Sequence, residues 1–424
     1  MSYSKNIGHN ILSQGTRIVL GAITGIIVAR ALGPSGQGYA AYILLIFTLL
    51  GSFGHFGLGN AVTFFQKKSS LDRTAIYSSN INTIILLSLL LSIPVLLLYY
   101  SGILLSGYSI YFVLGGILLM FSTMITTHHQ SWLLGDEKII KNNRISLTIF
   151  FAKAFAILLF WLCGWLSPFS FFLISVVAML AWFVLIQSTM GEPFKLLIST
   201  AVLKAEYAYG SLAWAASLFA FLHYRVDQIM IKSYLGTADL GIYTIAVSIA
   251  ELLFLFPVAI NGALVGRLYN LNQKDVERQL ISRTLRISVM ISALLCLVAV
   301  AGAFLIPVVY GAAYAPATIL MLILLPGVLF ACLPKVLSPW FFSQGRPKVH
   351  LQITFISLLC NIILNSMFIP LWGSRGAALA SSLSYLLYGI SYLIKMKYSE
   401  GFTLKELLLV HREDWQILRG LVKR

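Results

Sequence analysis

The sequence predicts an all-α integral membrane protein of about twelve transmembrane helices in two six-helix bundles. Three observations lead there. Of 424 residues, 59% are apolar and 10% are charged, against about 25% charged in an ordinary soluble domain, and mean hydropathy is +0.88. The apolar residues fall in continuous runs of about 20 or more, the length a helix needs to cross a hydrocarbon core of about 30 Å. The Lys and Arg residues crowd into every second connection between these runs. Continuous runs exclude a membrane barrel, whose strands alternate in segments of about ten residues. The net charge of +16 is therefore a topology signal and implies no nucleic-acid partner.

The first run, 7–31, follows a short N-terminus with no small-residue cleavage pattern, so it is expected to be retained as a helix. The second, 38–66, carries Gly51, Gly54, Gly57 and Gly59, which permit bending or close helix approach. Runs at 74–100, 107–134, 144–164 and 168–190 complete a first half, and the connector 191–208, with Pro193 and Lys195, reads as the joint between halves. The second half follows at 208–234, 240–266, 282–310, 314–342, 348–371 and 376–397. There Pro257, Pro326, Pro334 and Pro339 are placed to kink its second and fourth runs. The expected units are 1–198, 199–398 and a tail, 399–424, in which Leu404, Leu407, Leu408, Trp415, Leu418 and Leu421 lie among basic residues as on an interfacial helix.

One set of connections holds Lys67, Lys68, Arg73, Lys138, Lys141, Arg144, Lys195, Lys204, Arg267 to Arg286, Arg346 and Lys348. The other set keeps only Arg30, Lys232 and Arg375. The positive-inside rule then puts both termini in the cytoplasm. Connections on the outer side, Gly33–Gln37, Ser101–Ser106 and Gly311–Ala313, are too short for an external catalytic domain.

The halves carry an internal echo. Leu32-Gly33 with Gly38 and Leu235-Gly236 with Gly241 share the pattern LGxxxxG, offset by 203 residues, each at the turn from the first to the second run of its half. Six runs per half relate the halves by an axis along the membrane normal, and rocking of such halves gives alternating access.

Six ionisable residues lie within runs, where a charge is unfavourable by about 2.5–3.5 kcal/mol on insertion scales: Arg17, Lys153, Arg225, Asp227, Glu251 and Lys335. Four are cationic, and a net-positive cavity suits a polyanion such as a pyrophosphate, which Arg forks recognise. Arg17, Lys153, Arg225 and Lys335 are thus the substrate-binding candidates. Arg225 has a second reading, as a partner of Asp227 or Glu251 that ties helices together. Asp227 and Glu251 are the candidates for coupling or for a structural ion pair, with Glu251 the possible proton carrier. His55, His128, His129 and His223 can carry protons, but polar helix contacts explain them equally.

No P-loop, HExxH, GxSxG or metal-ligand spacing is present, and Cys163, Cys296, Cys332 and Cys360 stand singly in apolar runs. No enzyme, metal or cofactor is implied. Energy is expected from an ion gradient, the substrate gradient or a partner.

Four segments carry a family resemblance: Ala29-Arg30-Ala31-Leu32-Gly33-Pro34 with Gly36 to Ala40; Phe56-Gly57-Leu58-Gly59-Asn60-Ala61; Arg225-Val226-Asp227-Gln228 with Leu240 to Ala246 and Glu251; and Gln344 to Lys348 with Asn361, Asn365, Ile369-Pro370 and Gly373 to Ala380. Together they resemble the polysaccharide transporter branch (Wzx-type O-antigen, capsule and exopolysaccharide flippases) of the multidrug/oligosaccharidyl-lipid/polysaccharide superfamily. The resemblance implies a V-shaped, MATE-like pair of bundles with a cationic lumen, in a bacterial inner or plasma membrane. It implies an oligosaccharide on polyprenyl pyrophosphate, flipped from the cytoplasmic to the outer leaflet for surface polysaccharide synthesis, with Arg17 and Arg225 at lumen positions that hold the pyrophosphate. Membrane lipids are partners, and polymerase and export machinery follow by analogy. Two other readings stand beside it: an ion-coupled small-molecule antiporter on the same fold, and a multi-span polysaccharide polymerase or ligase.

Overall fold

Every element of this computed structural model is a helix or a turn; it describes residues 3–68, 72–136, 138–268, 273–411 and 414. Helices α1 (Tyr3–Phe53), α2 (Leu58–Lys68), α3 (Arg73–Tyr100), α4 (Ile110–Gly135), α5 (Ile139–Leu162) and α6 (Pro168–Gln187) precede α7 (Thr200–Leu235). Then come α8 (Thr237–Ala250), α9 (Leu255–Leu268), α10 (Lys274–Ala303), α11 (Ile306–Tyr310), α12 (Pro316–Ser343), α13 (Pro347–Glu400) and α14 (Leu404–Leu408). Among the described residues, nine helical segments are long and apolar enough to cross a membrane. Two of them, α1 and α13, are each a pair of helices joined at one glycine, Gly33 and Gly373. Counting both members of each pair and adding the more polar α7 gives the twelve spans that the sequence predicts.

Local chemistry fixes the helix ends. Asp72 caps α3 by accepting the Ala75 N–H, and Ser167 and Ser170 cap α6 reciprocally just ahead of Pro168. The turns at Gly33 and Gly236 are tighter than expected. Gly33 has φ 64° and ψ 178°, and Gly236 has φ 94° and ψ −171°. That region belongs to glycine alone, and it reverses the chain within one residue. No atom would lie within 4 Å of an added Cβ at either site, so backbone conformation, and not space, demands the glycine. The sequence echo between the halves is therefore a conformational echo.

By contacts the chain divides into two units, Met1–Leu218 and Phe219–Arg424. In the N-terminal unit α4 is the hub, packed by α1, α2, α3 and α6. In the C-terminal unit the hub is α12, packed by α8, α9, α10 and α13. Both hubs are the fourth span of their half. The second span of each half is interrupted. In the first half α1 stops at Phe53, the chain passes Phe56 (φ 50°) and Gly57 (φ 106°), and α2 resumes. The four glycines expected to loosen this run do so at a close approach: a Cβ on Gly210 would stand 2.5 Å from the Gly57 carbonyl oxygen. In the second half a 3-10 turn, Glu251–Phe254, separates α8 from α9. Pro257 explains it, because its missing N–H leaves the Leu253 carbonyl without a helical partner. That carbonyl accepts from Ser292 Oγ at 3.5 Å and Cys332 Sγ at 3.7 Å instead.

The connector 191–208, expected as the joint between halves, has two parts. Its first part is stitched to the N-terminal unit: the Lys195 N–H donates to Ser78, the Ser199 N–H donates to Ser79, and Asn82 donates to the Lys195 and Leu197 carbonyls. Its second part is already helix, since α7 starts at Thr200.

At the start of the tail, Gly401 (φ 71°) ends α13 and the short α14 follows. Phe402 and Leu407 pack in the protein core, while Leu404 and Leu408 stay exposed. Arg278 holds Glu406 at 2.8 Å and 3.0 Å, and Arg286 holds Asp414 at 2.7 Å. The Arg278 hydrogen bond draws the Glu406 carboxyl below its ordinary range. Burial works against the charge of Asp414, but Arg286 and the His411 N–H outweigh it and hold that carboxyl low as well. Trp415, Leu418 and Leu421 lie outside the described residues.

Candidate functional site

The six ionisable residues fall into three settings. In the C-terminal unit, Arg225 on α7 meets Glu251 at the start of the 3-10 turn, in a two-pronged contact of 2.7 Å and 2.9 Å. The interruption that Pro257 imposes is what places the Glu251 carboxylate there. Both side chains are about a quarter exposed (26% and 21%), so the pair is reachable. Lys335 on the hub α12 stands beside it, its ammonium 4.1 Å from the Phe254 ring centre and 4.6 Å from that of Tyr224. An ammonium between two ring faces is stabilised by their quadrupoles. The cluster of two cations and one anion is net positive.

Asp227 belongs to none of this. It is fully buried and accepts from Tyr243 Oη at 2.6 Å, Ser381 Oγ at 2.7 Å and the Gln228 N–H at 2.7 Å. Two residues along a helix is a rotation that sends side chains to different faces, as Arg225 and Asp227 show. The ion pair of this region is thus Arg225 with Glu251, and Asp227 does not meet Glu251. His223, also buried, is a packing residue among Tyr224, Tyr385 and Tyr388.

In the N-terminal unit Arg17 donates to Ser146 Oγ at 2.9 Å, and its guanidinium stands 5.9 Å from the Phe150 ring centre. Lys153 lies one turn further along α5, its ammonium 5.6 Å from the Phe171 ring centre. Ser146, Phe150 and Lys153 are spaced i, i+4, i+7, so one helix face presents both cations. No carboxylate among the described residues pairs with Arg17, Lys153 or Lys335. Three of the four predicted cations are therefore positive charges held by hydroxyls and rings.

Sequence reasoning missed one group. Glu206 on α7 is fully buried, and one of its oxygens accepts from Asn80 Nδ2 at 3.1 Å. The missed signal was the start of α7: a run opened at 208 leaves Glu206 in a loop.

The comparisons with known proteins bear on this geometry. The family described as "Polysaccharide biosynthesis protein" matches residues 3–272. The chain belongs to that family. A second family, MatE, matches residues 213–367 of this polysaccharide biosynthesis protein. It is 26% identical over 186 residues to the capsular polysaccharide biosynthesis protein CapF of Staphylococcus aureus, covering 43% of this chain and 46% of CapF. It is 26% identical over 191 residues to the probable flippase AglR of Haloferax volcanii, covering 43% of this chain and 40% of AglR. The chain thus spans less than half the length of these relatives. Among solved structures it resembles the lipid II flippase MurJ in an inward closed conformation, with a TM-score of 0.72 and 18% identity over 97% of this chain and 92% of MurJ. It also resembles an inward-facing MATE multidrug transporter, with a TM-score of 0.69 and 13% identity over 91% of this chain and 95% of the other. At such identities these likenesses establish the fold alone, one shared with MurJ and the MATE transporter. This polysaccharide biosynthesis protein is a multi-pass membrane protein.

Proposed function

We propose that the chain is a flippase for oligosaccharides linked to polyprenyl pyrophosphate, moving them by alternating access from the cytoplasmic to the outer leaflet for surface polysaccharide synthesis. The observation that carries this reading is the set of cations without carboxylate partners, Arg17, Lys153 and Lys335, together with Arg225. A charge at membrane depth needs a reason. Arg17 and Lys153, supported by a hydroxyl and aromatic rings, and Lys335, on two rings beside the Arg225–Glu251 pair, are explained by an anion that comes and goes. The names of CapF, AglR and MurJ support the same substrate class.

In this mechanism Arg17 and Arg225 offer donors to the pyrophosphate, Lys153 and Lys335 add point charge, and the aromatic rings keep both ammonium groups in place. The fork of Arg225 is taken by Glu251 when no anion is bound. A pyrophosphate arriving there displaces Glu251, whose carboxylate is then free to take up a proton. Exchange of one anion for another on the same fork would let the site release its cargo. The proposed orientation keeps both termini cytoplasmic, the proposed bundles are 1–198 and 199–398, and the proposed site is a bacterial inner or plasma membrane.

The test is purified protein in liposomes with a fluorescent polyprenyl-pyrophosphate oligosaccharide, following leaflet accessibility over time. Protein-dependent flipping that is lost in Arg17→Ala and Lys335→Ala is the expected result. Flipping unchanged in both variants would remove the pyrophosphate assignment. A second reading, a cation-coupled antiporter of small molecules, has the MatE match in its favour. Uptake of a cationic dye against a proton gradient, without lipid flipping, would establish it.

A further inference from the structure

The N-terminal unit contains a carboxylate with no charge partner and no solvent. Glu206, Asn80 and His128 are each fully buried, and they come from three different helices, α7, α3 and α4. Asn80 Nδ2 lies 3.1 Å from Glu206 Oε1 and 3.2 Å from His128 Nε2, so one amide bridges the acid and the imidazole. Three polar atoms of this trio have no hydrogen-bond partner: Glu206 Oε2, Asn80 Oδ1 and His128 Nδ1.

The surrounding groups offer no cation. On α3, Tyr77 is hydrogen-bonded to His129 of α4 at 3.0 Å, and on α7 itself Lys204 points outward. His55, before α2, is buried and receives the Gly57 N–H. Arg73 at the start of α3 is already shared between Asp136 and Glu192. An ionised carboxylate in that setting, with one neutral amide for company, is strongly disfavoured. A metal ion fits poorly, because oxygen-loving cations need several converging oxygens and this site interposes amide and imidazole nitrogens. A proton fits: it neutralises Glu206 and turns Oε2 into a donor for a neighbour that lacks one.

The position of Glu206 supplies the consequence. The first turns of α7 are seated on the N-terminal unit by three contacts in a row, Glu206 with Asn80, Gly210 against Gly57, and Trp214 Nε1 donating to the Phe53 carbonyl at 2.9 Å. We propose that Glu206, with Asn80 and His128, is a proton-binding site of the N-terminal unit, loaded while the first turns of α7 are seated there and emptied when they lift away. Seating then takes up one proton on Oε2, and lifting returns it to water. Arg225 lies further along the same helix, so this proton is linked to the helix that carries Arg225.

The full chain in lipid vesicles without substrate, titrated across neutral pH and followed by infrared difference spectroscopy, tests the site directly. A protonated carboxylic C=O band that persists above the range of ordinary glutamate and disappears in Glu206→Gln is expected. Glu206→Gln keeps the shape and the acceptor oxygen, and its thermal stability checks that the band is not lost through misfolding. A band unchanged in Glu206→Gln, or no band at neutral pH in the unmodified chain, overturns the proposal. A second measurement reads the linkage: hydrogen–deuterium exchange in the first turns of α7, corrected for the intrinsic pH dependence of exchange, should be less protected at alkaline than at neutral pH, with that difference lost in Glu206→Gln. Equal pH dependence in both proteins overturns the link to α7. Neither readout needs a carried lipid, so either can fail while the flippase reading stands, and the reverse holds as well.

Discussion

The two units follow one path and fill it with opposite chemistry. Each begins with a helix that turns at a positive-φ glycine, Gly33 or Gly236, has an interrupted second span, and packs its fourth span as the hub. The N-terminal hub α4 buries Ser122, Thr123, Thr126, His128 and His129, while the C-terminal hub α12 carries Pro326, Pro334 and Pro339. The N-terminal cations Arg17 and Lys153 rest on a hydroxyl and on rings, whereas Arg225 is clasped by Glu251. A repeated backbone thus leaves charge compensation free to diverge, and the two units should respond differently to the same kind of substitution.

The largest difference is expected at the arginines. Arg225→Ala strands the Glu251 carboxylate and should lower stability by about 2–4 kcal/mol. Arg17→Ala removes one hydrogen bond and should lower it by about 1 kcal/mol or less. Thermal unfolding in detergent measures both. If the double variant Arg225→Ala/Glu251→Ala is no more stable than Arg225→Ala, the contrast between the units fails. Next comes Gly210→Ala, which forces a Cβ toward the Gly57 carbonyl and should lower stability by about 1–3 kcal/mol. Its effect is confined to the N-terminal unit, so protease protection should fall there first.

Gly33→Ala and Gly236→Ala sharpen what the units share. Both place a side chain in a glycine-only region and should be destabilising by a similar amount, about 1–2 kcal/mol. A large inequality would mean that the two turns are alike in shape but not in strain. The smallest effect concerns the tail. Because the Glu406 and Asp414 carboxyls titrate below their ordinary values, their contribution is present above the unfolded carboxylate pKa, about 4, and is lost as pH falls through the folded values. Limited proteolysis after Glu400 should therefore speed up in acid, while helices of the C-terminal unit that do not touch the tail stay protected.

Much of this was legible in the sequence. Spans follow from apolar length, the paired glycine turns from LGxxxxG, and the interruption of the eighth span from Pro257. The partnership of Arg225 was legible only as a choice, because Asp227 is the nearer carboxylate in the chain and only helix rotation turns it away from Arg225 in favour of Glu251. Glu206 was not legible at all. Charged residues in the first turns of α7 lower its hydropathy, so the span was read as starting eight residues late and its carboxylate was given to a loop. In the tail, Leu407 packs in the protein core while Leu404 and Leu408 stay exposed, because leucines spaced for a lipid surface are equally well spaced for a protein one.

The grip of Arg286 on the tail bears on the order of synthesis. Arg286 is nearly buried, and its hydrogen-bond acceptors are Asp414 and the Glu406 carbonyl, both more than a hundred residues further along the chain. While the ribosome is still building α12 and α13, Arg286 waits as an uncompensated cation at the membrane edge. These contacts of Arg286 can form only after residue 414 has emerged. A shortened protein that stops after α13 would therefore leave Arg286 without them, and an expression tag belongs beyond Asp414.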